Sequence, residues 1–307
     1  MLTVDRAQVL AYRVAAQGLH RDASGVGELA VLDLGVQEAM GQPAGYAFAA
    51  RLPADVDLAP GAMAIGPGNE LAFGWTLRGA PHVHRRADLD RLAAALWPMS
   101  EADAAGRLNE TGPSVARAGI PALEQFGLAV DAMHAVVRSS IAKGAASTAV
   151  TAALPDVMAR DCRPCRARHV SDSAMRSTAL AAGVEIEPGT NPPVLVHRPR
   201  ARRPKRTDGA ALAGLAESYL RLLGPARPAD VAGYLECRRA DLVEQGWPDG
   251  LDEVSVDGRT CWLPSSAIDA LRDPREPDVV RLLGPFDPYL QARDRDLLVP
   301  DSTMHKT

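Results

Sequence analysis

Helical segments followed by a pair of strands occur three times along this chain, and this order constrains its fold more than any other feature. In the first copy, apolar spacing and turn residues predict helices over residues 3–18, 27–34 and 43–52 and strands over 71–77 and 82–84. In the second copy, they predict helices over 122–138, 148–154 and 173–182 and strands over 184–187 and 194–197. In the third copy, they predict helices over 212–223, 228–235 and 238–245 and strands over 254–256 and 259–263. Asp257-Gly258 joins the last pair and tolerates the positive φ angles of a tight hairpin turn.

Three helices followed by a hairpin is the order of a winged helix-turn-helix. Such a module presents one helix to the DNA major groove and its hairpin to the backbone. A length of 307 residues suits two or three domains, at about 100–200 residues each. We therefore expect an α+β fold of three tandem winged helix-turn-helix units, over residues 1–98, 99–206 and 207–264, with a C-terminal extension over 265–307.

The net charge of −4 conceals a strong asymmetry along the chain. Residues 160–206, here called the basic block, contain 11 Lys and Arg against 4 Asp and Glu, a balance of +7 that leaves −11 for the remainder. A focused positive field attracts anions, although an Arg-rich surface loop gives the same pattern. We expect phosphate contacts from these side chains of the basic block: Arg163, Arg166, Arg168, Arg198, Arg200, Arg202, Arg203, Lys205 and Arg206.

A second polar cluster follows the first predicted hairpin, in the order His82-Val83-His84-Arg85-Arg86. Residues two apart on a strand share a face, so both imidazoles point to the same side. A metal pair would need a carboxylate that the sequence does not place there. We expect the tip of a wing near phosphate, with His82, His84, Arg85 and Arg86 as DNA contacts. A plain surface hairpin is the alternative.

The basic block also contains Cys162-x-x-Cys165-x-x-x-His169, which could supply three soft ligands to zinc. A structural zinc site uses four ligands, and the spacing selects none of Cys237, Cys261 and His197 as the fourth. We therefore expect two reduced thiols and no bound metal, with zinc as the alternative.

Other features of the sequence exclude several classes of protein. No apolar run approaches the roughly 20 residues of a membrane span, and residues 1–6 lack the basic start and apolar stretch of a secretory signal. Four cysteines are too few for a disulfide framework. Gly25-Val26-Gly27-Glu28-Leu29-Ala30 matches a dinucleotide fingerprint, but no buried strand precedes it. We expect a monomeric cytoplasmic protein without cofactor, nucleotide or membrane partner.

Six stretches, spread over nearly the whole chain, carry a resemblance to one known family. They are Leu32-Asp33-Leu34-Gly35-Val36-Gln37; Trp75-Thr76-Leu77-Arg78-Gly79-Ala80-Pro81-His82-Val83-His84; Cys162-Arg163-Pro164-Cys165 leading to His169; Leu223-Gly224-Pro225-Ala226-Arg227-Pro228-Ala229-Asp230; Val256-Asp257-Gly258-Arg259 with Trp262-Leu263-Pro264; and Leu282-Leu283-Gly284-Pro285-Phe286-Asp287-Pro288-Tyr289-Leu290 with Arg293-Asp294-Arg295. In this order they resemble the winged-helix DNA-binding proteins related to AlkZ-type DNA glycosylases.

The resemblance implies tandem winged helices around a concave basic surface that binds double-stranded DNA in the nucleoid. The implied activity is excision of alkylated or crosslinked bases. Glycosylases of this kind use a Gln-x-Gln or Gln-x-Asp motif at the position of Gln37, but residue 39 is alanine here. Glu38 is one residue away and would face away from Gln37 in an extended segment.

Two hypotheses on function follow from this departure. The first is a glycosylase in which Gln37 and Glu38 are catalytic. The second is a non-catalytic DNA-binding or regulatory relative that has lost the second catalytic group. Family members also continue past the Arg-Asp-Arg segment with another hairpin, so we expect the extension over 265–307 to be truncated relative to the family.

Overall fold

The computed structural model describes residues 1–39, 43–58, 63–108, 119–301 and 303–304. The α-helices in these ranges are α1 (Arg6–Ala16), α2 (Ala44–Arg51), α3 (Leu89–Ala95), α4 (Glu101–Arg107), α5 (Ala122–Val136), α6 (Lys143–Ala153), α7 (Asp172–Ala179), α8 (Gly209–Leu223), α9 (Pro228–Leu235), α10 (Arg239–Gln245), α11 (Ile268–Arg272) and α12 (Arg295–Leu298). The strands are β1 (Leu2–Val4), β2 (Val36–Gln37), β3 (Leu71–Trp75), β4 (Pro81–Arg85), β5 (Ile141–Ala142), β6 (Arg160–Cys162), β7 (Ala167–His169), β8 (Val184–Ile186), β9 (Val194–His197), β10 (Leu251–Val256) and β11 (Arg259–Pro264). The α+β class is confirmed, whereas the division into three winged helices stays a prediction.

The strands form small sheets with a recurring composition. Three sheets have the orders β1–β10–β11, β2–β4–β3 and β5–β9–β8, and β6 pairs with β7 alone. Each three-stranded sheet combines a hairpin with one further strand. The further strands are β1, β2 and β5, which have only two or three residues each. The strand pairs predicted from the second and third copies are confirmed as the antiparallel pairs β8–β9 and β10–β11.

The Asp257-Gly258 turn has the backbone that its sequence predicts. Asp257 has a φ of 48° and Gly258 a φ of 79°, both in the left-handed region that a two-residue hairpin turn of this type requires. The register follows directly, with Val256 opposite Arg259 and Val254 opposite Cys261. Local turn chemistry therefore sets the pairing of these two strands.

The first copy differs from its prediction at both of its early elements. Residues 27–34 do not form an α-helix but two 3₁₀ turns, Val26–Glu28 and Ala30–Asp33, separated by Leu29 in an extended conformation. At the start of the chain, Leu2–Val4 forms a strand parallel to β10, and Asp5 caps α1, so the helix begins at Arg6 rather than at residue 3. Apolar spacing alone could not predict a partner strand some 250 positions away.

The chain divides into two compact units. Unit 1 comprises Met1–Met63, Val83–Arg85 and Leu212–Thr307, and part of its core is formed by residues of β1, α1, β10, β11 and α11. In unit 1, the buried guanidinium of Arg13 on α1 donates to Asp294 at 2.6 and 3.1 Å. The C-terminal segment is thus held to the first helix by charge.

Unit 2 comprises Ala64–His82 and Arg86–Ala211. Its helix α5 packs against α4, α6 and α7, and Phe126 of α5 meets Trp97 edge to face at 5.1 Å. The two units are assembled from non-contiguous segments, so they do not test the boundaries at 98, 206 and 264. No helix among the described residues has the length and apolar character needed to cross a bilayer.

Candidate functional site

Gln37 lies at the edge of a shallow pocket in unit 1. It is the last residue of β2 and is half-buried, directly after the fully buried Val36. The pocket is a shallow, open depression with room for about 10 Å³ and is lined by Gln37, Pro43, Tyr46, Ala47, Gly284, Phe286 and Asp287. Helix α2 and the C-terminal segment therefore complete a site that begins at β2.

The backbone before Gln37 depends on a close approach of Gly35 to His84. Gly35 has a φ of 78°, and a Cβ built on it would lie 2.2 Å from Cε1 of His84. Any other residue at position 35 would collide with the imidazole and would also be strained in this conformation. His84 is 1% exposed, so its ring fills the space under the turn that leads into β2.

Glu38 follows Gln37 but has a different environment. Its carboxylate accepts a hydrogen bond from the backbone N–H of Ala44, at the start of α2. Burial nevertheless raises the pKa of Glu38, since desolvation outweighs that hydrogen bond. Glu38 is not among the residues that line the pocket beside Gln37. A half-buried carboxylate with a raised pKa is nonetheless suited to accept a proton.

A buried ion pair anchors the far side of the pocket. Arg51 of α2 and Asp287 form two parallel hydrogen bonds of 2.8 Å, and their side chains are 0% and 1% exposed. The same guanidinium donates to the side-chain and backbone oxygens of Gln17 and to the backbone oxygen of Ala47. The ion pair fixes the Phe286-Asp287 segment against α2, a contact that no local pattern of the sequence predicts.

Two aromatic side chains at the pocket are open to solvent. Tyr46 is 57% exposed and Phe286 is 38% exposed, which is unusual for side chains of this size. Aromatic faces on the surface can stack on unpaired bases. These two rings therefore provide exposed aromatic surface at the pocket that Gln37 lines.

The polar cluster after the first hairpin is largely internal. His82 and His84 are each 1% exposed, and Nδ1 of His82 lies 2.9 Å from the carbonyl of Ala80. Arg85 binds Asp33 at 2.5 Å in unit 1, and Arg86 is paired with Glu185 in unit 2. The strand itself is confirmed as β4, but the burial of both imidazoles and the ion pairs of both arginines leave little of the cluster available to phosphate.

The basic block divides into paired and unpaired cations. Arg198 is buried against Asp90 at 2.6 Å, Arg168 pairs with Asp156 at 3.0 Å and Arg203 with Asp131 at 2.9 Å. Of the nine predicted phosphate contacts, the other six are exposed, and no ion pair within the described residues involves them. They are Arg163, Arg166, Arg200, Arg202, Lys205 and Arg206.

Cys162, Cys165 and His169 come together on the hairpin formed by β6 and β7. Their ligand atoms all lie within 4.8 Å of one another. The backbone N–H of Cys165 is the largest of the interactions that lower the pKa of Cys162, and the side chains of Cys165 and His169 add to it. Sequence spacing suggested this trio, but only the fold could show that the three atoms converge.

The comparisons with known proteins define the class. The sequence model of a family described as DNA glycosylase AlkZ-like matches residues 31–306. The chain therefore belongs to the AlkZ-like DNA glycosylase family, as the resemblance of its sequence motifs implied.

One solved structure with a similar fold is the Streptomyces sahachiroi DNA glycosylase AlkZ. The two share 17% sequence identity at a TM-score of 0.70, and the match covers 98% of this chain and 81% of that chain. At this identity the likeness describes the fold alone. No curated protein sequence matches the chain.

Proposed function

We propose that the protein binds double-stranded DNA and hydrolyses the N-glycosidic bond of N7-alkylated purines. The observation that carries this proposal is the place of Gln37 in a member of a DNA glycosylase family. Gln37 lies at a pocket with two exposed aromatic rings, where an extruded base could stack. The choice of lesion and of catalytic residue rests on the position of Gln37 at the pocket with these two rings.

The chemistry needs little acid assistance. An N7-alkylated purine is already cationic, so the electron pair of the breaking C1′–N9 bond neutralises the departing base. The sugar develops oxocarbenium character, and a water molecule adds its oxygen to C1′ and releases one proton. The amide oxygen of Gln37 can orient that water and face the developing positive charge.

Glu38 is the residue we propose as the acceptor of the water's proton. Its pKa is raised by burial, which makes its carboxylate a better base than an exposed glutamate. Its hydrogen bond to the backbone of Ala44 holds it at the N-terminus of α2.

DNA binding is proposed to use tandem winged helices and the exposed cations of the basic block. The recurrence of one short strand with one hairpin in three sheets supports the winged-helix interpretation. The six exposed, unpaired cations between Arg163 and Arg206 supply the sequence-independent attraction to phosphate. His82 and His84 are left out of this interface because both are buried.

A second function is favoured by one specific observation. Alanine occupies position 39, where glycosylases of this kind are expected to place a second glutamine or an aspartate. A relative that kept the scaffold and lost this group would bind DNA without releasing bases. This alternative shares the DNA interface with the first proposal and differs only in the chemical step.

The test of the proposal is the release of free base from duplex DNA. The full chain is incubated with a duplex that carries a single N7-methylguanine, and the freed base is quantified against a no-protein control and an unmodified duplex. We expect release from the modified duplex only. Tight binding to both duplexes without release from alkylated or crosslinked substrates would support the second function, a DNA-binding protein that does not release bases.

The salt dependence of DNA binding provides a separate prediction. Log affinity should fall linearly with log salt, with a slope near −0.9 for each phosphate neutralised. In the triple variant Arg202→Gln, Lys205→Gln, Arg206→Gln the slope should become shallower by up to about 0.9 per lost contact. Fluorescence anisotropy on a random duplex at several salt concentrations measures both slopes.

The control for this series is Arg272→Gln, an exposed arginine on α11 outside the basic block. It removes one positive charge away from the basic block, so it shows how a charge change elsewhere on the surface affects the slope. Equal slopes for the triple variant, the control and the wild type would show that these three residues of the basic block do not contact DNA phosphates.

A further inference from the structure

The β6–β7 hairpin holds two thiols and an imidazole in a form suited to a metal ion. Cys162 ends β6, Cys165 lies in the turn and His169 ends β7. The register pairs Cys162 with Ala167 and Arg160 with His169. The three ligand atoms lie within 4.8 Å of one another on a hairpin of ten residues.

The turn that joins β6 to β7 contains a residue in the left-handed region. Arg166, directly after Cys165, has a φ of 51°, which returns the chain sharply into β7. The backbone N–H of Cys165 donates to the sulfur of Cys162. A thiolate bound to a metal is stabilised by such backbone donors, which also fix its orientation.

His169 supplies the independent observation that points to a ligand. Its Nδ1 lies 2.6 Å from the carbonyl oxygen of Val170 and must donate its proton there. This fixes the tautomer and leaves the lone pair on Nε2. That Nε2 is buried without a nitrogen or oxygen partner within the described residues, and the Cys162 thiol is a hydrogen-bond partner of the His169 side chain. Histidine ligands to zinc characteristically donate the other ring N–H to a backbone carbonyl in this way.

We propose that Cys162, Cys165 and His169 bind one zinc ion, with a water molecule as the fourth ligand. Zinc lies about 2.3 Å from thiolate sulfur and about 2.0 Å from imidazole nitrogen. Its ligand atoms are then separated by somewhat less than the 4.8 Å found here, so a small inward rotation of the side chains closes the site. Both thiols release their protons to solvent on binding.

The carboxylate of Asp172 is not assigned as a ligand. It pairs with Lys143 at 2.5 Å and with Arg176 at 2.7 Å, which occupies both of its oxygens. A Cys162–Cys165 disulfide is the competing use of the two sulfurs. That bond would leave the fixed tautomer and the buried Nε2 of His169 without a function, so the geometry favours the metal.

The site would give the hairpin a functional role that rests on the proposed DNA binding. The same hairpin presents the exposed cations Arg163 and Arg166. A metal ion closing the turn would hold both in one orientation and reduce the conformational entropy lost when they meet phosphate. Chelation should then weaken DNA binding without unfolding the protein.

The test measures zinc directly, before any DNA is added. The full chain is treated with chelator under reducing conditions, given one equivalent of zinc, separated from free metal and analysed by atomic emission. We expect about one zinc per chain for the wild type and a loss of most of it in Cys165→Ser and in His169→Gln. Cys237→Ser, which alters a cysteine outside the cluster, should retain the metal.

A second readout guards against variants that misfold. Cobalt added to the wild type should give the intense visible bands of a tetrahedral site and a thiolate charge-transfer band, and zinc should displace them. Absence of stoichiometric zinc from the reduced wild type would overturn the proposal, as would equal zinc in His169→Gln. The proposal would also be overturned if the protein isolated under reducing conditions had a mass two units below that of the reduced chain, because that difference would indicate a Cys162–Cys165 disulfide. None of these outcomes depends on whether the protein binds DNA or releases bases.

Discussion

Replacement of Gln37 by alanine should lower the single-turnover rate of base release by about 10²–10³-fold, the loss usual for one group that stabilises a transition state. The affinity for DNA should change little, because Gln37 is a half-buried residue at the rim of the pocket rather than one of the exposed cations. The measurement is release of N7-methylguanine under excess protein, with anisotropy on the same duplex to record binding.

The matched control is Gln245→Ala, which removes an exposed glutamine at the end of α10. Its rate should equal that of the wild type. If Gln37→Ala and wild type release base equally fast, Gln37 is not catalytic and the site must be sought elsewhere.

The pH dependence of the rate of base release distinguishes the role of Glu38 from that of Gln37. Because burial raises the pKa of Glu38, its carboxylate is protonated at a pH where an exposed glutamate, with a pKa near 4.3, is still ionised. A general base works only when deprotonated, so the rate should fall as pH decreases through this raised pKa. Glu38→Gln should lower the rate and abolish that limb of the profile. A Glu38→Gln profile that keeps the limb would assign the titration to another group.

Replacement of Asp287 by asparagine should lower the free energy of unfolding by about 3–5 kcal/mol, because it leaves the Arg51 guanidinium charged and unpaired in the interior. Both side chains are almost completely inaccessible, and their two hydrogen bonds of 2.8 Å have no solvent to replace them. Urea unfolding followed by circular dichroism measures the loss. Arg51→Met should also be strongly destabilising, because it leaves the Asp287 carboxylate buried without its partner.

An exposed ion pair supplies the control for this stability series. Asp269 and Arg272 on α11 are paired but 90% and 57% exposed, and such pairs contribute at most about 1 kcal/mol. Asp269→Asn should therefore leave the unfolding curve nearly unchanged. If Asp287→Asn and Asp269→Asn shift the curve by the same small amount, the buried pair does not hold the C-terminal segment. Should the expected loss occur, Asp287→Asn should also impair base release, since Asp287 lines the pocket with Gln37.

The elements that the sequence predicted well are those in which neighbouring residues determine the conformation. The β10–β11 hairpin follows from the alternation of its strands and from the positive φ angles that Asp257-Gly258 accepts. Helix α9 follows from the favourable position of Pro228 in its first turn. By contrast, apolar spacing over residues 27–34 suggested a helix where the chain forms two 3₁₀ turns, because periodicity does not reveal an extended residue such as Leu29.

The sequence by itself therefore determined the α+β class, most of the hairpins, the basic block and the family. It did so because turn chemistry, side-chain alternation and family motifs are read within short stretches of chain. Only the tertiary structure decided that His84 is buried under Gly35, and that Arg51 pairs with Asp287 across 236 positions of sequence. The same holds for the buried ring nitrogen of His169 beside two thiols. Burial and long-range pairing depend on which distant segments pack together, and no local pattern of residues encodes that.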